Sequence, residues 1–169
     1  MRIIISDSSC LIDLRKASLL ASFLLLPFEI LIPNTLFEDE LLSFTDDEKR
    51  TLLHGGLKVI DLPGPQVSRA REVIRAQPRL SIHDGFAFAL AEVNHGCILL
   101  TGDSLLRDLG EATQIEVHGV LWVFDQIHSN QLATAKTLHT ALSQLAGDPA
   151  VRLPRREVAA YIKRYGGTT

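Results

Sequence analysis

Two aspartates in this chain directly follow apolar runs of the kind that form buried strands. Asp7 comes after Ile3-Ile4-Ile5-Ser6, and Asp103 comes after Cys97-Ile98-Leu99-Leu100-Thr101-Gly102. A third, Asp84, stands three residues after Ser81 at the start of an apolar helical stretch, and a short acidic run, Glu38-Asp39-Glu40, follows Ile32-Pro33. Carboxylates gathered at one place repel one another unless a cation sits among them, and hard oxygen ligands favour Mg2+ or Mn2+. An ion held in this way orients a water and lowers its pKa, so the pattern suggests metal-assisted hydrolysis. The chain contains no GxGxxG, no GxxxxGK[ST] and no GxSxG, which argues against nucleotide-cofactor, P-loop and serine-hydrolase chemistry.

The elements that must position these acids can be read in chain order. Arg2 to Ser6 is predicted as a buried first strand, followed by a helix from about Leu11 to Leu26 before Pro27. Phe28 to Ile32 is a second strand, and Asn34 to Leu42 a short acidic helix. Thr45-Asp46-Asp47-Glu48 has the capping-box form and opens a helix that ends at Gly55-Gly56. Leu57 to Leu62 is a third strand, and Gln66 to Gln77 a helix closed by Pro78. Ser81 caps the next helix, which Gly96 ends as a left-handed residue, and Cys97 to Thr101 is a strand covered on both faces. A helix from Ser104 to Ala112 and a short strand from Ile115 to Val117 follow. Gly119 to His128 and Ser129 to Leu145 read as helical, and Pro154 to Tyr165 as a basic terminal helix. Strands alternating with helices imply a parallel sheet, because parallel strands need crossovers and helices supply them. The expected fold is therefore α/β, a three-layer α/β/α sandwich with sites at the carboxyl ends of its strands, plus an added C-terminal helical segment.

Composition sets the frame. The 169 residues are 46% hydrophobic, 22% charged and 6% aromatic, which suits a globular chain with a sizeable core. A net charge of −3 provides no overall basic field. Cys10 and Cys97 both lie in apolar surroundings without CxxC spacing, so two reduced thiols are expected rather than a disulfide or a zinc site. Three isoleucines after Met1-Arg2 fall far short of a signal peptide or a span of about 20 apolar residues, so a cytoplasmic protein without membrane attachment is expected.

Four segments in order, Ile5-Ser6-Asp7-Ser8-Ser9-Cys10-Leu11-Ile12, Ile32-Pro33 to Glu40-Leu41, His83-Asp84 to Ala91, and Leu99-Leu100-Thr101-Gly102-Asp103, resemble the PIN-domain nucleases, particularly the VapC-like toxins of bacterial toxin–antitoxin pairs. The resemblance covers roughly residues 1–130, with 131–169 as a C-terminal helical extension on the same domain. It implies a Mg2+- or Mn2+-dependent ribonuclease whose catalytic and metal-binding acids are Asp7, Glu40, Asp84 and Asp103. It also implies an RNA substrate and a small antitoxin protein as partner. The apolar residue that follows the family's second acid selects Glu40, before Leu41, over Glu38. The long tail could cover the site, bind a partner or form a homodimer.

Each acid also has an ordinary use. Asp84 can be an N3 residue of a capped helix, Asp7 a helix cap, Asp103 a turn aspartate and Glu40 a solvated face. Ser8 and Thr101 are candidates for holding the carboxylates in place, and His83 for approaching substrate, though a histidine at a helix start is usually just a partly exposed polar residue. The remaining histidines show no ligand spacing. Arg71 and Arg75, with Arg152, Arg155, Arg156, Lys163 and Arg164, carry charge suited to phosphates, although a solvated face is the commoner role. Two rivals stand beside the nuclease: a haloacid-dehalogenase-like phosphatase using Asp7 as nucleophile, which lacks the second aspartate at Ser9, and a catalytically idle binding module.

Overall fold

The computed structural model describes residues 1–167; the last two positions of the expected C-terminal extension, 168 and 169, lie outside the described residues. Five parallel strands form one sheet: β1 (Arg2–Ser6), β2 (Phe28–Pro33), β3 (Lys58–Ile60), β4 (Ile98–Leu100) and β5 (Glu116–His118). Their spatial order is β3-β2-β1-β4-β5. From β1 the chain first steps outward through β2 to β3, then returns to the other side of β1 for β4 and β5. Right-handed crossovers send the helices of these two directions to opposite faces, which gives the α/β sandwich expected from the sequence. The order reverses between β1 and β4, and a crevice opens at the carboxyl ends of strands at such a point.

Burial follows the strand runs. Ile4 and Ile5 on β1, Ile32 on β2, and Ile98, Leu99 and Leu100 on β4 are fully buried. Register places Ile5 beside Leu31 on one side and Leu99 on the other, so the two central strands end level with each other. The ladder continues one step further, with the Asp7 N–H donating to the Leu100 carbonyl at 3.0 Å.

The first helical region is two helices rather than one: α1 (Ser8–Lys16) and α2 (Leu20–Leu24). Ser18 takes a left-handed conformation (φ 57°) and breaks the run. The Leu19 N–H reaches back to the Leu14 carbonyl at 2.9 Å and the Ser18 N–H to Arg15 at 3.0 Å, a Schellman closure that apolar periodicity does not reveal. The acidic helix, α3 (Asn34–Asp39), is also shorter than expected, because Glu40 is its C-cap and Leu41 turns into the core. After α4 (Asp46–His54) and β3, α5 (Gly64–Ala76) and α6 (Ile82–Val93) pack closely, α6 lying on β1, β2 and β4. Gly96 is left-handed (φ 79°) as expected, but it stands one residue beyond C′, since α6 is capped at Asn94.

Two further helices complete the sandwich around β5, namely α7 (Ser104–Ala112) and α8 (Val120–Ser129), the latter against α1 and α2. The ambiguous stretch after residue 128 resolves as a break at left-handed Gln131 and a new helix, α9 (Ala135–Ala146), capped by Thr134. The last helix, α10 (Arg155–Gly166), packs on α9 and is tied to α8 by Asp125, which accepts from the hydroxyls of Tyr161 at 2.6 Å and Tyr165 at 3.0 Å. Leu138, Leu142, Leu145, Val158 and Tyr165 join the same hydrophobic core as the sheet. Among the described residues no helix is long and apolar enough to cross a membrane.

Candidate functional site

Asp7 stands at the order reversal, directly after β1. As the residue between β1 and α1 it has extended backbone, and its Oδ1 accepts from the Cys10 N–H at 3.1 Å, which caps α1. The Ser9 hydroxyl donates to the same oxygen at 2.8 Å, and the Thr101 hydroxyl donates to Oδ2. Both oxygens are therefore fixed by the protein. Asp7 is only 6% exposed. Burial pushes its pKa up, hydrogen bonds from Thr101, Cys10 and Ser9 pull it down, and the nearby negative charge of Asp84 pushes it up again.

Thr101, fully buried at the end of β4, also accepts the Asp103 N–H at 3.0 Å. One hydroxyl thus connects the two strand-end aspartates. Asp103 caps α7, its Oδ1 accepting from the Leu106 N–H at 2.8 Å. Asp84 completes a capping box with Ser81: the Ser81 N–H donates to Oδ2 at 2.9 Å, and the Asp84 N–H donates to the Ser81 hydroxyl at 3.1 Å. The ordinary cap roles of Asp7, Asp84 and Asp103 are accordingly all present. Each cap uses one oxygen of its own acid, and the second oxygens of Asp84 and Asp103 take no hydrogen bond among the described residues.

Glu40 reaches the same neighbourhood from the end of α3. Its Oε1 accepts from the Ser8 hydroxyl at 2.8 Å, so the residue next to Asp7 anchors it. Its neighbours in the acidic run do otherwise: Glu38 is exposed, and Asp39 faces His83, with Oδ2 at 3.3 Å from Nε2. His83 is the residue immediately before Asp84, and its side chain is 23% exposed. Of the sequence candidates, Ser8 and Thr101 each bond a candidate acid, and His83 pairs with Asp39 rather than with one of the four.

The donor set is all hard carboxylate oxygen, the chemistry that suits Mg2+ or Mn2+. The four acids approach without closing into a cage: among the described residues no group of three His, Cys, Asp or Glu side chains stands close enough to hold an ion. The electrostatic coupling of Asp7 and Asp84 is the feature a cation would relieve.

Two parts of the site had little or no sequence signal. Ser9 holds Asp7, and its only clue is a hydroxyl two residues after a cap. Beside the acids, a cavity of about 700 Å3 runs from Thr101, Gly102 and Ser104 past Arg107, His118 and Trp122 to Arg152, Leu153 and Arg155. Its walls come from segments far apart in sequence, which no local spacing could reveal.

No curated protein matches the chain. A family model does match, over residues 3–167 and thus through α9 and α10 as well as the sheet: the family DUF3368, described as a PIN domain. With nearly its whole length matched, the chain belongs to this PIN-domain family.

Proposed function

We propose that this PIN domain is a divalent-metal-dependent endoribonuclease and the toxin of a toxin–antitoxin pair, with Asp7, Glu40, Asp84 and Asp103 as its catalytic and metal-binding acids. PIN domains are nuclease folds in general. The observation that carries the finer reading is the Thr101 bridge at the sheet's order reversal, which ties Asp7 to Asp103 while Asp84 lies close enough to raise the Asp7 pKa.

Mg2+ or Mn2+, when bound, supplies a polarised water and neutralises charge building on a scissile phosphodiester. The chain's own contribution is positioning. Asp7 is held at both oxygens, Asp84 and Asp103 are each held at one oxygen by a helix cap, and Glu40 is held by Ser8. These bonds limit the rotamer freedom that would be lost as the acids draw together around an ion. The phosphatase reading lacks its second aspartate, because the position two residues after Asp7 is Ser9, whose hydroxyl instead donates to Asp7.

The test is incubation of the purified protein with single-stranded RNA and Mn2+ or Mg2+, alongside EDTA, Asp7→Asn, Asp84→Asn and Asp103→Asn. Cleavage that EDTA abolishes and each variant largely removes is the expected result. Full activity in Asp84→Asn would reduce that residue to a helix cap, and absence of cleavage in every condition would leave a binding module. The toxin role predicts a small basic-tailed antitoxin that places an Arg or Lys among the four acids and is recovered with the protein after co-expression.

A further inference from the structure

The cavity beside the acids has a composition that the four-acid reading does not use. Its floor is the end of β4 and the start of α7, at Thr101, Gly102 and Ser104. One wall is aromatic: the rings of His118 and Trp122 stack at 4.5 Å with only 7° between their planes. Val151 to Arg155, the link between α9 and α10, also lines the cavity, and α10 beyond it is anchored to Asp125 of α8. Three cationic side chains line the space, Arg107, Arg152 and Arg155. Arg107 is paired with Glu111 at 3.8 Å, whereas Arg152 and Arg155 are exposed and have no ion-pair partner among the described residues. Asp13 and Glu157 also line the cavity, and burial raises the Asp13 pKa to about 6.

Aromatic surface, unpaired guanidinium groups and direct continuity with Thr101 fit one ligand chemistry: a nucleotide with its base against the aromatic pair and its phosphate on the arginines. We propose that this cavity is a nucleotide subsite, holding the residue of a single-stranded RNA that flanks the scissile phosphate, with the α9–α10 link as its specificity-determining wall. The proposal rests on the nuclease reading for its substrate. The volume of about 700 Å3 lies within the range of small-molecule pockets and is ample for one nucleotide. The C-terminal segment thereby acquires a role in substrate selection, which its remoteness from the four acids in sequence does not suggest.

Trp122 is the chain's only tryptophan, so tryptophan emission comes from a residue that lines this cavity. The experiment is a titration of the full chain in EDTA with a short oligoribonucleotide, exciting at the red edge of tryptophan absorption, at several salt concentrations. Native protein and Asp103→Asn are both expected to show a saturable change in emission. The double variant Arg152→Ala/Arg155→Ala is expected to bind at least tenfold more weakly and to flatten the plot of log affinity against log salt by about 1.4, the loss of two phosphate contacts on a single strand. Arg152→Lys/Arg155→Lys should restore most of that slope. A thermal melt of the alanine variant matching the native protein separates the effect from unfolding, since both side chains are exposed.

Three results overturn the proposal. One is RNA cleavage by a protein whose Trp122 emission does not respond to the oligonucleotide. Another is an alanine variant that binds and cleaves as the native protein does. The third is emission that responds only to a co-purifying polypeptide and not to RNA. Saturable, arginine-dependent binding without cleavage under any metal condition would instead sink the nuclease reading and keep the nucleotide subsite.

Discussion

Thr101 donates its hydroxyl proton to Asp7 and with the same oxygen accepts the Asp103 N–H at 3.0 Å, so a single fully buried side chain on β4 aligns the acids at the ends of two neighbouring strands. Thr101→Val keeps the shape but leaves one Asp7 oxygen and one backbone donor without partners. A loss of about 1–3 kcal/mol of stability is expected in urea denaturation at neutral pH, together with most RNA cleavage. Thr101→Ser should recover both. A valine variant as stable as the native protein would mean that the bridge is incidental.

Ser8 makes the corresponding contact to Glu40, at 2.8 Å. Ser8→Ala should raise the Mn2+ concentration needed for half-maximal cleavage by about tenfold or more, because an unheld ligand must be ordered on binding. Its cost in stability should stay below about 1.5 kcal/mol. Glu38→Gln, on the exposed neighbour, should change neither quantity. A metal response altered by Glu38→Gln and not by Ser8→Ala would reassign the second acid.

Helix α6 owes its position to a close approach at Gly85, the residue after Asp84. A Cβ placed there would lie 3.0 Å from the Ala70 carbonyl oxygen and 3.3 Å from the Ala70 Cβ on α5. Gly85→Ala should therefore destabilise the fold by about 1–3 kcal/mol, measured by chemical denaturation, although alanine is the better helix former. Stabilisation by this change would mean that the two helices separate freely.

Asp13 supplies a pH dependence away from the four acids. Burial raises its carboxyl from the ordinary value of 3.8 to about 6; the Lys16 ammonium opposes this, while Asp7 and Asp148 add to it. A folded value above the unfolded one means that the contribution to stability is complete below about pH 4 and is lost as pH climbs through 6. Solvent screening of this half-buried group holds the loss to on the order of 1–2 kcal/mol. Asp13→Asn should melt near the native temperature at pH 4.5 and above it at pH 8. A difference between the two proteins that does not change with pH would contradict this origin.

The strands and three of the four candidate acids were legible because their signals are local. An apolar run ending in aspartate marks β1 with Asp7 and β4 with Asp103, and Ser81 three residues before Asp84 marks the start of α6. What the sequence concealed depends on backbone handedness or on distant segments. Ser18, Gln114 and Gln131 adopt positive φ without being glycine, so the breaks they make at the ends of α1, α7 and α8 carry no glycine signal. Leu41 after Glu40 favoured it over Glu38 through the family resemblance, but its anchor, Ser8, lies 32 positions away and left no local signal. The cavity wall of Arg152 and Arg155 meets Thr101 only because the Tyr161 and Tyr165 hydroxyls fasten α10 to Asp125.

The account stands or falls on whether the four acids take a divalent ion, and calorimetric titration of the metal-free protein with Mn2+ measures that directly. Saturable binding is expected in the native chain, weakened at least tenfold in Asp84→Asn and in Asp103→Asn and unchanged in Glu38→Gln, with a matching rise in melting temperature as Mn2+ exceeds its dissociation constant. Binding that is absent from the native chain, or equal in native protein and Asp84→Asn, would contradict it and leave Asp7, Asp84 and Asp103 as helix caps.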